Sequence, residues 1–152
     1  PSRLIFAAHA APDAHLARHQ CADLFLDTLP YNAHTTASDA LWSGVPVLTC
    51  MGKSFAGKVA SSLLNAIDLP ELITYNAQEY EEKAIQIATD SQVLNGLKTR
   101  LSMNKTTSSL FNISEFKGHF EATLSKMYAV YQSGEDIDHI VIQDICTNPR
   151  GL

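Results

Sequence analysis

Apolar and polar positions along the first half of the chain alternate between two rhythms. Leu4-Ile5-Phe6-Ala7-Ala8 is a continuous apolar run, the pattern of a strand covered on both faces. Pro12-Asp13 suits a helix start, and Leu16 and Cys21 can share an inner face along 13–21. Ala22-Asp23-Leu24-Phe25-Leu26-Asp27 reads as a second short strand, closed by Leu29-Pro30. A helix over 37–43 ends at Gly44, and 45–49 reads as a strand. Val59, Leu63, Leu64 and Ile67 recur at helical spacing, and Leu72-Ile73-Thr74-Tyr75 is a last short strand. Beyond it the pattern is helical over 77–89, 91–102 and 114–133, with a mixed tail that is loose over 147–152.

Strand and helix alternating over 4–75 predict βαβ units and a parallel sheet. The expected architecture is a Rossmann-like α/β core over 1–76, with the helices of 77–152 packing on the same domain. In open sheets of this kind ligands sit at the carboxyl ends of the strands, where loops feed helix N-termini. That puts Tyr31-Asn32-Ala33-His34-Thr35-Thr36-Ala37-Ser38-Asp39 at the functional edge.

Composition narrows the function classes. A net charge of −5 argues against a nucleic-acid surface, which needs clustered Lys and Arg. No apolar run approaches the roughly 20 residues of a membrane helix, and the first residues do not read as a signal peptide. Cys21, Cys50 and Cys146 lie far apart without CxxC spacing, so neither zinc nor a disulfide framework is suggested and a reduced, cytoplasmic protein is expected. A buried strand beginning almost at residue 1 suggests part of a longer chain.

Thr36-Ala37-Ser38-Asp39 fits a capping box, a hydroxyl followed three residues later by an acid. Simple capping would account for it. The free N–H groups of the same first turn, with the helix dipole, would equally make an anion site. There Thr35 and Thr36 add hydroxyl donors, and His34 adds a further donor or a positive charge. Asp39, one turn in, repels a phosphate but can accept two hydrogen bonds from a vicinal diol. Phosphate donors beside a diol acceptor describe a nucleotide site.

The stretch from His34 through Asp39-Ala40-Leu41-Trp42-Ser43-Gly44-Val45-Pro46 also resembles the nucleotide-sugar signature of GT-B glycosyltransferases. More closely it is similar to the O-linked N-acetylglucosamine transferases and their bacterial, SPINDLY-type relatives, whose motif reads N-G-H-T-T-x-x-D-x-L-W-x-G-x-P. Asn32-Ala33-His34 stands here for N-G-H. Further segments resemble the family at similar spacing: 3–6, 22–28, 59–62, 78–81, 109–112 and Asp138-His139. The resemblance implies part of the C-terminal lobe of a GT-B enzyme and a UDP-N-acetylglucosamine donor. The reaction it implies is inverting transfer to Ser or Thr of protein acceptors, without a metal or other cofactor. By position it gives His34, Thr35 and Thr36 to the diphosphate, Asp39 to the ribose, and His15 and Arg18, as H-x-x-R, to the uracil. Ala10 matches the residue whose backbone reads the base. The family's lysine near Pro12 has no counterpart, so base recognition would be rearranged. Acceptor contacts would lie upstream, no catalytic residue is expected within this chain, and the isolated piece is expected to be inactive.

Other readings compete. A non-enzymatic nucleotide-sugar binding module, a relict fragment or a UDP-sugar epimerase-like enzyme would share the motif. Gly52-Lys53-Ser54 echoes the end of a P-loop but lacks its leading glycine, leaving Lys53 as a weak phosphate candidate. His15 and His19 share a helix face at i, i+4 without a third metal ligand placed by sequence. Trp42 is expected in the core, and Tyr80 with Glu79, Glu81 and Glu82 on a solvated face. Phe111, Phe116, Phe120, Tyr128 and Tyr131 are expected to pack the last helices onto the sheet.

Overall fold

The computed structural model describes residues 3–136 and 138–142, so Cys146 and the tail at 147–152 lie outside the described residues. The elements run α1 (Pro12–His19), β1 (Phe25–Leu26), α2 (Thr35–Trp42), β2 (Val47–Cys50), α3 (Val59–Ala66), β3 (Ile73–Thr74), α4 (Ala77–Thr89), α5 (Ser91–Thr107) and α6 (Ile113–Ser133). The three strands form a parallel sheet in the order β1-β2-β3, with Phe25 opposite Val47 and Thr49 opposite Ile73. This is the mixed α/β class that the alternation predicts.

All four residues of β2 are buried. Since successive side chains point to opposite faces, both faces of the central strand are covered. α3 and α4 lie against it, and α2 packs on both α1 and α3. Small residues let α2 and α3 approach: Ala37, Ala40 and Ala60 are fully buried, beside Leu41 and Leu64. Gly44 takes φ +88°, so the chain turns straight from α2 towards β2 in a conformation that side-chain-bearing residues avoid. Two compact units emerge, one taking in the described residues up to Leu110 and the other those from Phe111 on.

Several expectations are corrected. Residues 4–8 form no strand; Leu4, Ile5 and Phe6 are exposed, and no strand among the described residues pairs with them. An apolar run specifies a strand only where a neighbour supplies its hydrogen bonds. The box at Thr36–Asp39 does not form, because the helix begins at Thr35 and its N-cap is His34, which makes no side-chain cap bond. Asp39 is thereby moved too far along the helix to reach back to the cap.

Trp42 is 52% exposed, and Lys105 places its Nζ 5.1 Å from the ring centre. Tyr80 is half-buried rather than solvated, and its hydroxyl donates to the Asp27 carbonyl at 2.8 Å. Glu79 is a capping residue: it accepts from the Tyr75 amide at 2.9 Å while Asn76 caps the Glu79 amide. Phe116, Phe120, Tyr128 and Tyr131 are exposed, with the two phenylalanine rings stacked 6.0 Å apart.

A candidate nucleotide site on helix α2

Arg18 organises the first part of the site. Its guanidinium donates to the Ala8 carbonyl at 2.8 Å, tying the 7–10 segment to α1, and to His15 Nδ1 at 3.0 Å. A guanidinium has only donors, so His15 must accept at Nδ1 and carry its proton on Nε2. That Nε2 faces Asp39 Oδ2 at 4.0 Å. The separation exceeds a hydrogen bond, which leaves the carboxylate's lone pairs available to a third group. Ala7, Ala8, Ala10, Pro12, His15, Arg18 and Asp39 line one open groove of about 450 Å³. The groove therefore brings together four of the residues singled out from sequence: Ala10, His15, Arg18 and Asp39.

The other three stand at the start of the same helix, one turn from Asp39. Thr35 and Thr36 are exposed in the first turn, where amides have no partner within the helix. The ring of His34 is held between two aromatics. Tyr31 stacks on it at 5.1 Å with 19° between planes, and Phe55 meets it edge-on at 6.2 Å. Its Nε2 is buried and has no hydrogen-bond partner. An imidazole nitrogen left unpaired in this way costs free energy, which a ligand oxygen would recover.

Two loops frame this end. The 51–58 loop folds back on itself, with the Gly52 amide donating to the Gly57 carbonyl at 2.6 Å and the Gly57 amide to the Ser54 carbonyl at 3.1 Å. It also meets the 28–34 loop, since the Asn32 amide donates to the Ala56 carbonyl at 3.1 Å. Lys53 is exposed within that loop. Gly52-Lys53-Ser54 lies in a bend and α3 begins only at Val59, so the helix-opening geometry of a P-loop is not met. Among the described residues no three His, Cys, Asp or Glu side chains are grouped to hold a metal ion.

Sequence reasoning passed over Asp27. It is 5% exposed, and its carboxylate accepts from the Thr28 and Ala33 amides and the Thr49 hydroxyl at 2.8, 2.7 and 2.6 Å. The available signal was an acid closing an apolar strand, a residue type rarely buried without partners.

The chain matches the glycosyl transferase family 41 profile over residues 1–120. The chain belongs to glycosyl transferase family 41. Within the family it is 40% identical, over its whole length, to the UDP-N-acetylglucosamine–peptide N-acetylglucosaminyltransferase of Caenorhabditis elegans, and covers 13% of that protein. It is 34% identical over 143 residues to the probable UDP-N-acetylglucosamine–peptide N-acetylglucosaminyltransferase SEC of Arabidopsis thaliana, 93% of this chain and 15% of that one. Among solved structures, a Thermobaculum terrenum O-GlcNAc transferase mutant superposes with a TM-score of 0.75 at 32% identity. The superposition covers 82% of this chain and 24% of the bacterial one. The chain thus spans a small part of the relatives it matches.

Proposed function

We propose that this chain carries the donor pocket of a cytoplasmic protein O-GlcNAc transferase of GT-B form. That enzyme would move N-acetylglucosamine, with inversion, from UDP-N-acetylglucosamine to Ser or Thr of proteins. The observation that carries the reading is one helix bearing two complementary half-sites. The α2 N-terminus presents free amides, two hydroxyls and the unpaired Nε2 of His34. One turn on, Asp39 faces His15 across the open groove.

In this reading the diphosphate sits on the α2 amides with His34, Thr35 and Thr36, and the ribose diol donates to Asp39. The uracil lies along His15 and Arg18, with the backbone at Ala10 reading its edge. Bond breaking between sugar and UDP loads negative charge onto the β-phosphate. Donors already fixed by the helix and by the packed His34 ring would stabilise that charge without reorganising. Such leaving-group stabilisation asks for no metal and no nucleophile from this chain. The acceptor and the groups that activate it belong to the rest of a longer protein.

Calorimetry of UDP and UDP-N-acetylglucosamine against wild type and Asp39→Ala tests the assignment. Loss of a carboxylate acceptor for two hydroxyls costs about 2 kcal/mol, or about thirtyfold in Kd. Equal affinities for UDP would sink the ribose role of Asp39.

A further inference from the structure

A continuous thread of polar groups crosses the carboxyl edge of the sheet. The Thr74 hydroxyl of β3 donates to the Thr49 carbonyl of β2 at 2.9 Å. The Thr49 hydroxyl donates to Asp27 Oδ2, and Asp27 Oδ1 accepts from both Thr28 and Ala33 amides. α4 joins through Tyr80, whose hydroxyl reaches the Asp27 carbonyl. Thr49 is fully buried and Thr74 is 5% exposed, so water does not compete for these bonds.

The thread ends beside the site. By holding residues 28 and 33 on a single oxygen, Asp27 closes the loop that leads from β1 to α2. Ala33 is the residue immediately before His34, so the Asp27 Oδ1 to Ala33 amide distance of 2.7 Å fixes where His34 enters the helix. Asn32 reinforces the closure, its side-chain amide donating to the Thr28 carbonyl at 3.0 Å. A carboxylate buried near a phosphate site would ordinarily oppose anion binding. Here its charge is met by three donors, and its geometric reach is what the loop uses.

We propose that Asp27 is a positioning residue for the donor site, clasping the 28–33 loop so that His34 and the first amides of α2 face the diphosphate. The inference rests on the donor reading given above. The clasp depends on the reach of Oδ1 rather than on charge. Asparagine preserves it, because its carbonyl oxygen accepts the same two amides and its NH₂ can donate to the Thr49 hydroxyl oxygen. Alanine removes it. Glutamate keeps the charge but lengthens the arm by one methylene, displacing Ala33 and His34. A displacement of about 1 Å breaks the hydrogen-bond geometry of a binding group, and each charge-assisted bond lost costs about tenfold or more in affinity.

The test measures UDP affinity by calorimetry, thermal melting, and the amide proton shift of Ala33 by NMR, in the protein before and after substitution. Asp27→Ala and Asp27→Glu are expected to weaken UDP binding about tenfold or more and to move the Ala33 amide signal upfield. Asp27→Asn is expected to stay within about threefold of wild type. Thr49→Val removes the bond to Asp27 Oδ2 but leaves both loop amides on Oδ1, and is expected to melt lower yet bind UDP within about threefold. UDP binding within threefold of wild type by Asp27→Glu or by Asp27→Ala overturns the proposal. So does a loss in Thr49→Val as large as that in either of them, which would mean general destabilisation. If Asp27→Ala does not fold, Asp27→Glu carries the decision. A wild type that shows the downfield Ala33 signal but binds no UDP overturns the donor reading while leaving the clasp itself demonstrated.

Discussion

Gly57 is packed tightly against its own loop and the neighbouring 28–34 loop, and adding one methyl group there tests that packing. A Cβ on Gly57 would lie 3.0 Å from the Gly52 Cα, 3.3 Å from the Pro30 carbonyl oxygen and 3.3 Å from Ser54 Oγ. Carbon–carbon contacts settle near 3.5–4.0 Å, so the Gly52 Cα must retreat, and the two oxygens at 3.3 Å are also closer than a Cβ ordinarily comes. Two of the three are backbone atoms, held by the Gly52–Gly57 hydrogen bond and by the 28–34 loop, and cannot swing aside as a side chain can. Overpacking of this kind costs about 1–3 kcal/mol. For a domain of this size Gly57→Ala should lower Tm by roughly 3–10 °C. Gly96 provides the opposite sign within the same chain. It lies in α5 with nothing within 4 Å of its added Cβ, so Gly96→Ala replaces a poor helix former in open space. That change should stabilise by about 0.5–1 kcal/mol. Thermal melts of both variants followed by circular dichroism decide the matter. A Gly57→Ala protein that melts at or above wild type would refute the tight packing around Gly57.

Leu64 is fully buried on α3 against the central strand, so Leu64→Ala should cost about 2–5 kcal/mol in urea melts; a loss below 1 kcal/mol would contradict its place in the core. Tyr80 has its pKa raised from 10.0 to about 12, first by burial and then by the Asp27 and Cys50 charges. Between those values the folded state holds a proton that the unfolded state has lost, so stability falls as pH rises from about 10 to about 12. Tyr80→Phe should lose about 1 kcal/mol near neutrality, from the missing bond to Asp27, and should lack that decline at high pH. Parallel pH curves for the two proteins in urea melts between pH 8 and 11.5 would contradict the coupling.

Helix α4 was fully legible in sequence because its ends carry their own signals: Asn76 and Glu79 close the start, and Asp90 both ends α4 and caps α5. β2 was legible because β-branched and apolar residues follow a glycine turn. The run at 4–8 is also apolar, but an apolar run cannot supply a hydrogen-bonding neighbour. At α2 the pattern named His34, Thr35, Thr36 and Asp39 yet misjudged their geometry. Asp39 lies across from His15 on α1 rather than back at the cap, because the helix begins at Thr35 and carries it beyond the capping position. Asp27, Thr49 and Tyr80 stayed hidden for a related reason. Their partners stand 22 and 53 residues away along the chain, and no local spacing rule joins them.

Helix α2 carries the candidate site at its first turn and the chain's single tryptophan, Trp42, as its last residue. Two turns of hydrogen-bonded backbone join the indole to the first-turn amides, and Lys105 keeps a charge above the ring. The molecule thus contains its own optical gauge: a ligand that shifts α2 against α5 changes the field on the indole, and emission from one chromophore reports it without any label.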